Sequence, residues 1–225
     1  MTIGIIVAMS KELALLTPML SNHNTQLVGN QTFHTGTLGR HQVVAMQCGI
    51  GKVNAAIGAL TLIREFKPSL IINTGVAGGA DGSVMVMDVV AGAQVAYHDV
   101  WCGPESTLGA VQGLPLYYEG DAQLLSLLPH STQVKQGLIA SGDQFIDSLE
   151  RVEAIKHNFP EALAVDMESA AIAQVCYLNK TRFLSLRVIS DSPGASHDNT
   201  KQYNDFWDEA PRESFALVKE LIAKI

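Results

Sequence analysis

The chain has 225 residues, 47% hydrophobic and 6% aromatic, and a chain of this size buries roughly 70–75% of its unfolded surface. Its 15 basic and 22 acidic residues give a net charge of −7, which argues against a nucleic-acid surface, since that needs a basic stripe. No apolar run reaches the ~18 residues of a membrane helix, and there is no block of like charge or low-complexity run that would mark a disordered segment.

The N-terminal run IGIIVAM (3–9) predicts a buried strand, and SKELALLTPML (10–20) a helix capped by Ser10. Lys11 and Glu12 interrupt the apolar start, and no basic region precedes it, so no signal peptide is expected. Residues 33–48 predict two strands joined by a turn at Gly39–Arg40. A helix follows over 52–66, with Val53, Ile57, Leu60 and Arg64 on one stripe. SLIINTG (69–75) is an apolar strand ending in glycine, and 86–96 is another strand-like run. Residues 98–120 are irregular and rich in Gly and Pro.

A helix is expected over 147–159, capped by Asp147 or Ser148, with Leu149, Val152, Ile155 and Phe159 aligned and Pro160 closing it. Residues 169–178 are apolar all round and predict a buried helix, 182–190 a strand. The last helix aligns Phe215, Val218, Leu221, Ile222 and Ile225. There is no internal repeat and no linker. The pattern predicts one α/β domain over 1–225, a central mixed sheet flanked by helices. Such sheets bind ligands beyond the carboxyl ends of their strands, and those positions hold the candidate residues.

After the first strand stands Glu12, which could simply complement a helix dipole. CGIGKV (48–53) is not a phosphate-binding P-loop, because Met46 replaces its first glycine and Val53 its Ser or Thr. NTGVAGGADG (73–82) offers glycines for a close ligand approach or for plain turns, without a dinucleotide fingerprint. In SGDQFIDS (141–148), Phe145 is either a stacking platform for a planar ligand or a core residue. AVDMESAA (164–171) places Asp166 and Glu168 in an apolar setting, where an unpaired charge is costly. Asp191 ends the strand RVIS as a turn residue or an acid, and Arg187 lies four residues earlier on the same strand face, as a charge partner for Asp191 or a glutamate. The histidines lack ligand spacing, and Cys48, Cys102 and Cys176 form no C-x-x-C, so no metal is expected and reduced thiols in a cytoplasmic protein fit best. No G-x-S-x-G elbow exists. Glu12, Glu168 and Asp191 at strand ends suggest glycosidic chemistry built on acids.

The stretches IGIIVAMSKEL, GIGKVNAA, IINTGVAGG, YHDV, LIASGDQFI, HNFPEALAVDMESAAIAQVC and RVISD span essentially the whole chain. With them the sequence resembles bacterial 5'-methylthioadenosine/S-adenosylhomocysteine nucleosidases of the purine nucleoside phosphorylase-like superfamily. The resemblance implies hydrolysis of the N-glycosidic bond, releasing adenine and a thio-substituted ribose, with no cofactor. Glu12 would be the general base for water and Asp191 the general acid at adenine N7, which calls for a raised pKa from burial or a neighbouring acid. Glu168 would bind the ribose hydroxyls, Met167 would pack on the sugar, Phe145 would stack on adenine and Ile146 would read its edge. Arg187 would place Glu168 and the water, Ala77 and Gly78 would line the ribose, and Met9 and Ile50 would touch the 5' substituent.

The resemblance also implies a homodimer in which 101–118 reaches into the partner's 5' pocket, with Trp101, Leu114 and Tyr117 as lid candidates. Tyr203 or Phe206, in the segment 192–206, would supply the aromatic over the 5' group. Val76 stands where many relatives carry serine, and Asp166 where glutamate is more common. Asp166 is expected to cap the helix that follows. The alternatives are a phosphate-dependent purine nucleoside phosphorylase, disfavoured because only Lys11, Lys52 and Arg187 are basic near the site, and a non-catalytic nucleoside sensor.

Overall fold

The computed structural model describes residues 1–193, 203, 206 and 211–225. Its strands are β1 (Thr2–Val7), β2 (Ser21–Val28), β3 (Gln31–Leu38), β4 (His41–Gln47), β5 (Leu70–Gly79), β6 (Val89–Tyr97), β7 (Tyr118–Glu119), β8 (Val134–Ser141), β9 (Ala162–Asp166) and β10 (Arg182–Asp191). The helices are α1 (Ser10–Leu16), α2 (Lys52–Phe66), α3 (Ala122–Leu127), α4 (Leu149–Asn158), α5 (Ser169–Leu178) and α6 (Pro211–Lys224). The expected mixed α/β architecture is present, with all ten strands in one sheet.

The sheet is not simply open. β5 runs parallel to β10, which pairs antiparallel with β6; β6 and β8, then β8 and β9, are parallel; and β9 returns antiparallel to β5. These five strands close a ring, which removes free edges among them. β1, β4, β3 and β2 extend the sheet from β5. β5 therefore changes neighbour along one side. It pairs with β1 as far as Asn73 and with β9 from Gly78. The stretch between, residues 74–77, is where the sheet splits and the candidate site opens.

Alternation along the strands builds a core on each face. Ile3, Ile5, Val7, Leu70, Ile72 and Leu184 pack with Leu16 of α1, Leu124 of α3 and the Phe215, Val218, Leu221 and Ile222 stripe of α6. Ile6 and Ile71 face the other way, onto Ala55, Ala59 and Leu62 of α2 and the Ala170–Ala173 run of α5. A third cluster seats Val152 and Ile155 of α4, with Phe159 just after it, against Ala140, Ala162 and Val165.

Several expectations change. α2 buries Ala55, Gly58, Ala59 and Leu62, whereas Val53 and Ile57 are 69% and 53% exposed. The stripe of larger apolar residues faces outward because the sheet side needs small ones: a Cβ on Gly58 would lie 2.8 Å from that of Cys48. Ser10 does not cap α1. Met9 holds the cap position, and Glu12, three residues into the helix, turns its carboxylate back onto the cap amide. The regular helix ends at Leu16, and a 3₁₀ turn covers 17–19. Ser148, rather than Asp147, precedes α4, and its side chain makes no capping bond. β2 carries no sequence signal, being exposed along nearly its whole length.

Replacing Ile72, fully buried on β5, by alanine is expected to cost about 2–5 kcal/mol, read as a lower urea midpoint at unchanged denaturant slope.

Candidate active site

β1, β5, β9 and β10 end around one cleft of about 110 Å³. Glu12, Asp191, Glu168, Met167, Phe145, Ile146, Arg187, Ala77, Gly78, Ile50 and Met9 all line it. The cleft also contains Ala8, Val76, Gln144, Val165, Asp166, Ser190 and Tyr203. Of these, Ala8, Gln144, Val165 and Ser190 were not expected. They carry no distinguishing chemistry in a single sequence.

Glu12 is 1% exposed. One carboxylate oxygen accepts the amides of Ala8 and Met9, both at 2.9 Å, and the other accepts the amide of Val76 at 3.2 Å. The Val76 amide lies in the gap where β5 has left β1 and not yet met β9, so the carboxylate completes the sheet's hydrogen bonding there. Burial pushes the Glu12 carboxyl above its ordinary value, against the pull of Arg187 and these amides. Val76 thus contributes through its backbone, a contact that serine or valine can make equally.

Glu168 stands at the start of α5, 5% exposed, and accepts the Gly51 amide at 3.0 Å. Burial raises its carboxyl to about 7, with Asp166 adding to the rise and Arg187 opposing it. Arg187 is 1% exposed; its Nη2 lies 2.5 Å from Asp166 Oδ2 and 3.5 Å from Glu168 Oε2. Its partners are therefore Asp166 and Glu168. Of the two expected charge partners, Asp191 or a glutamate, the glutamate is met in Glu168, and both Arg187 and Asp191 line the cleft although the register of β10 shifts between Ile189 and Asp191.

Asp166 takes the capping role expected of it. Its Oδ2 accepts the Ser169 amide at 3.1 Å and the Ser169 hydroxyl at 2.5 Å, and its Oδ1 accepts the Ser141 hydroxyl. It is also the nearest countercharge of Arg187. Asn73 closes the buried network: its Oδ1 accepts Arg187 Nη2 at 2.6 Å, and its Nδ2 donates to the Ile6 carbonyl at 3.0 Å. Ser185 joins at 2.7 Å from the Ser169 hydroxyl. The sequence holds a signal for this network that went unused, namely Asn73 and Ser185 inside otherwise apolar strands. Asp191 is 2% exposed, and the Ser190 hydroxyl donates to its Oδ1 at 2.6 Å.

Phe145 is half-exposed on the cleft wall, while Ile146 is buried beside it. Tyr203 crosses the opening. Its ring meets Phe145 edge-on at 5.8 Å, and its hydroxyl lies 3.2 Å from the Met9 sulfur. Phe206 does not line the cleft and packs instead with Val188, Val76 and Met87. The rest of the expected 194–206 contribution lies outside the described residues. Trp101, Leu114 and Tyr117 are not among the residues lining the cleft of their own chain. Among the described residues no group of three or more His, Cys, Asp or Glu is arranged to hold a metal, and no helix is long and apolar enough to cross a membrane.

The raised Glu168 carboxyl makes the protein's stability depend on pH. The folded form holds this proton up to about pH 7, whereas an unfolded chain releases it near 4.5. The folded state then binds more protons between those values, so stability falls as pH rises through that window. Glu12, also raised, acts in the same direction. Glu168→Gln is expected to flatten this decline in urea midpoints measured from pH 4.5 to 7.5; parallel curves for the two proteins would contradict it.

A family model described as the phosphorylase superfamily matches residues 2–223. The 5'-methylthioadenosine/S-adenosylhomocysteine nucleosidase of Lysinibacillus sphaericus (strain C3-41) is 38% identical over 234 residues, which cover all of both chains. The structure of the S. pneumoniae 5'-methylthioadenosine/S-adenosylhomocysteine nucleosidase with the transition-state inhibitor MT-ImmA matches with a TM-score of 0.94 at 38% identity, covering 99% of each chain. Futalosine hydrolase of Helicobacter pylori strain 26695 matches with a TM-score of 0.93 at 26% identity, covering 100% of this chain and 98% of its own. The chain belongs to the phosphorylase superfamily and, within it, to the 5'-methylthioadenosine/S-adenosylhomocysteine nucleosidases.

Proposed function

We propose that the cleft hydrolyses the N-glycosidic bond of 5'-methylthioadenosine and S-adenosylhomocysteine, with Glu12 as general base and Asp191 as general acid. The observation that carries this reading is the gathering of three buried carboxylates, Glu12, Glu168 and Asp191, on one cleft. The activity itself is that of the family to which the chain belongs.

The division of labour follows from chemistry. As the bond from C1' to N9 breaks, positive charge develops on the ribosyl ring. The Asp191 carboxyl proton passes to adenine N7, so the base leaves neutral. Water attacks C1' and gives its proton to Glu12, whose raised carboxyl makes it a better base near neutrality. Glu168 accepts hydrogen bonds from the ribose hydroxyls, Met167 packs on the sugar beside Ala77 and Gly78, and Phe145 with Ile146 holds the adenine. Met9 and Ile50 touch the 5' substituent. Arg187 keeps Glu168 oriented and balances the buried acids.

A phosphorylase needs cations for its phosphate. Among the described residues lining the cleft the cation is Arg187, and it is committed to Asp166 and Glu168. Lys52, at the cleft's edge in sequence, is paired with Asp99. Both facts favour water as the nucleophile. A nucleoside sensor would need no general acid.

The reading extends to one nucleosidase unit over 1–225, working in the cytoplasm as a homodimer. Val53 and Ile57 on α2, Ile50 at the cleft and Trp101 are all more than half exposed. These exposed apolar side chains are the ones we assign to contact with a second copy, which would bring 101–118 to the neighbouring cleft. Ile57→Glu is expected to halve the sedimenting mass while leaving the circular dichroism unchanged.

The decisive assay incubates the protein with methylthioadenosine in buffers with and without phosphate. Adenine and free methylthioribose in equal yield from both supports hydrolysis. Sugar 1-phosphate formed only with phosphate overturns the role given to Glu12. Asp191→Asn is expected to lower kcat by about 10²–10⁴-fold while substrate binding by calorimetry persists; unchanged turnover would remove Asp191 from the chemistry.

A further inference from the structure

Three loops that follow separate strands meet at one carboxylate outside the cleft. Asp99, after β6, accepts Lys52 Nζ on both oxygens at 2.9 Å. Its Oδ2 also accepts the Asp143 amide at 2.9 Å, from the loop after β8. Asp143 returns the contact: its Oδ1 accepts the Lys52 amide at 2.7 Å, at the start of α2. The Lys52 ammonium further lies 5.5 Å from the centre of the Tyr97 ring. The side chains of Lys52 and Asp99 are 24% and 15% exposed, so the pair is screened less than a surface salt bridge.

Each arm of this junction leads to a group that faces substrate. The residue before Lys52 is Gly51, whose amide holds Glu168 at 3.0 Å. Gly51 has a φ of 94°, and a Cβ there would lie 3.0 Å from Asp143 Oδ1, so glycine lets the two loops close on each other. Two residues after Asp143 stands Phe145, whose carbonyl accepts Arg151 Nη1 at 3.2 Å. The sugar contact and the adenine contact are thus carried by different loops, and Asp99 ties both loops together.

On the reading of the cleft as an adenine-nucleoside site, we propose that Asp99 and Lys52 are positioning residues that hold the adenine loop and the Glu168-anchoring loop in one register. They touch no substrate. They fix the distance between the base subsite and the ribose subsite, which a nucleoside, whose base and ribose are joined by one covalent bond, must match at both ends. Breaking the pair lets either loop drift, and misplacement of this kind lowers binding and turnover without removing any reacting group.

The test uses Asp99→Asn, Lys52→Met, the double variant and Lys52→Arg. The readouts are kcat and KM for methylthioadenosine, the calorimetric affinity for adenine alone, and the thermal midpoint. Each single variant is expected to raise KM and weaken adenine binding by about tenfold, the scale of a lost positioning contact. The double variant should be no worse than the poorer single one, because both remove the same junction, and Lys52→Arg should restore most of the loss. If Asp99→Asn does not fold, Lys52→Met reads the same junction from its more exposed side. A lowered midpoint with unchanged KM and adenine affinity overturns the proposal, as does additivity of the two substitutions. Failure of the wild-type protein to release adenine would instead overturn the nucleosidase reading, and failure of the wild type to bind adenine would overturn both.

Discussion

The active site depends on one buried cation. Arg187 sits in the floor of the cleft with essentially no solvent exposure, and a buried guanidinium is tolerable only when paired and hydrogen-bonded on several sides. Asp166, Glu168, Asn73 and Ser169 supply those partners. The dependence is mutual, because Glu12 and Glu168 are buried acids whose carboxyls burial already drives upward. Without the guanidinium nearby they would have little reason to ionise. In the roles proposed for them, a base and a sugar-binding carboxylate, both acids need the ionised form, and Arg187 on the cleft floor favours that form against burial.

The fold makes that arrangement possible by splitting a sheet. β5 carries β1 on one side in its first half and β9 in its second. The break between them exposes backbone amides that would otherwise be paired, and Glu12 answers one of them. The carboxylate is held by three main-chain donors, which do not rotate as side chains do. Such preorganisation suits the role of general base proposed for Glu12, since its position is settled before substrate arrives.

Much of this was legible in the sequence, and the limits have physical causes. Strand ends marked by an apolar run and then an acid or glycine led to the cleft, because ligand sites in α/β sheets lie at those ends. Roles within the cleft came from resemblance alone; periodicity could not tell Glu12 as a base from Glu12 as a helix-dipole acid. The stripe on α2 was misread because hydrophobicity scores Val53 and Ile57 above Ala55 and Gly58. Close packing on the sheet selects for size and not for greasiness. β2 was invisible for the opposite reason, since an exposed edge strand shows no alternation of burial. Asp166 was half legible: a cap can be expected from its place before α5, but its ion pair with Arg187 spans residues far apart in sequence.

The closure of the strand ring bears on how the site comes into being. β10 is the last strand among the described residues and lies between β5 and β6, pairing with both. A ribosome releases β1 and Glu12 first and Arg187 and Asp191 last. Until β10 inserts, the ring stands open, the early acids have no guanidinium to face, and water must solvate them. The contacts that join one strand end to another, Glu12 to Val76, Glu168 to Gly51 and Arg187 to Asn73, are long-range, so the site cannot assemble piecemeal as local helices can. The nascent chain thus lacks the buried charge cluster of its active site until β10 is made, and that one strand brings both Arg187 and Asp191 to it.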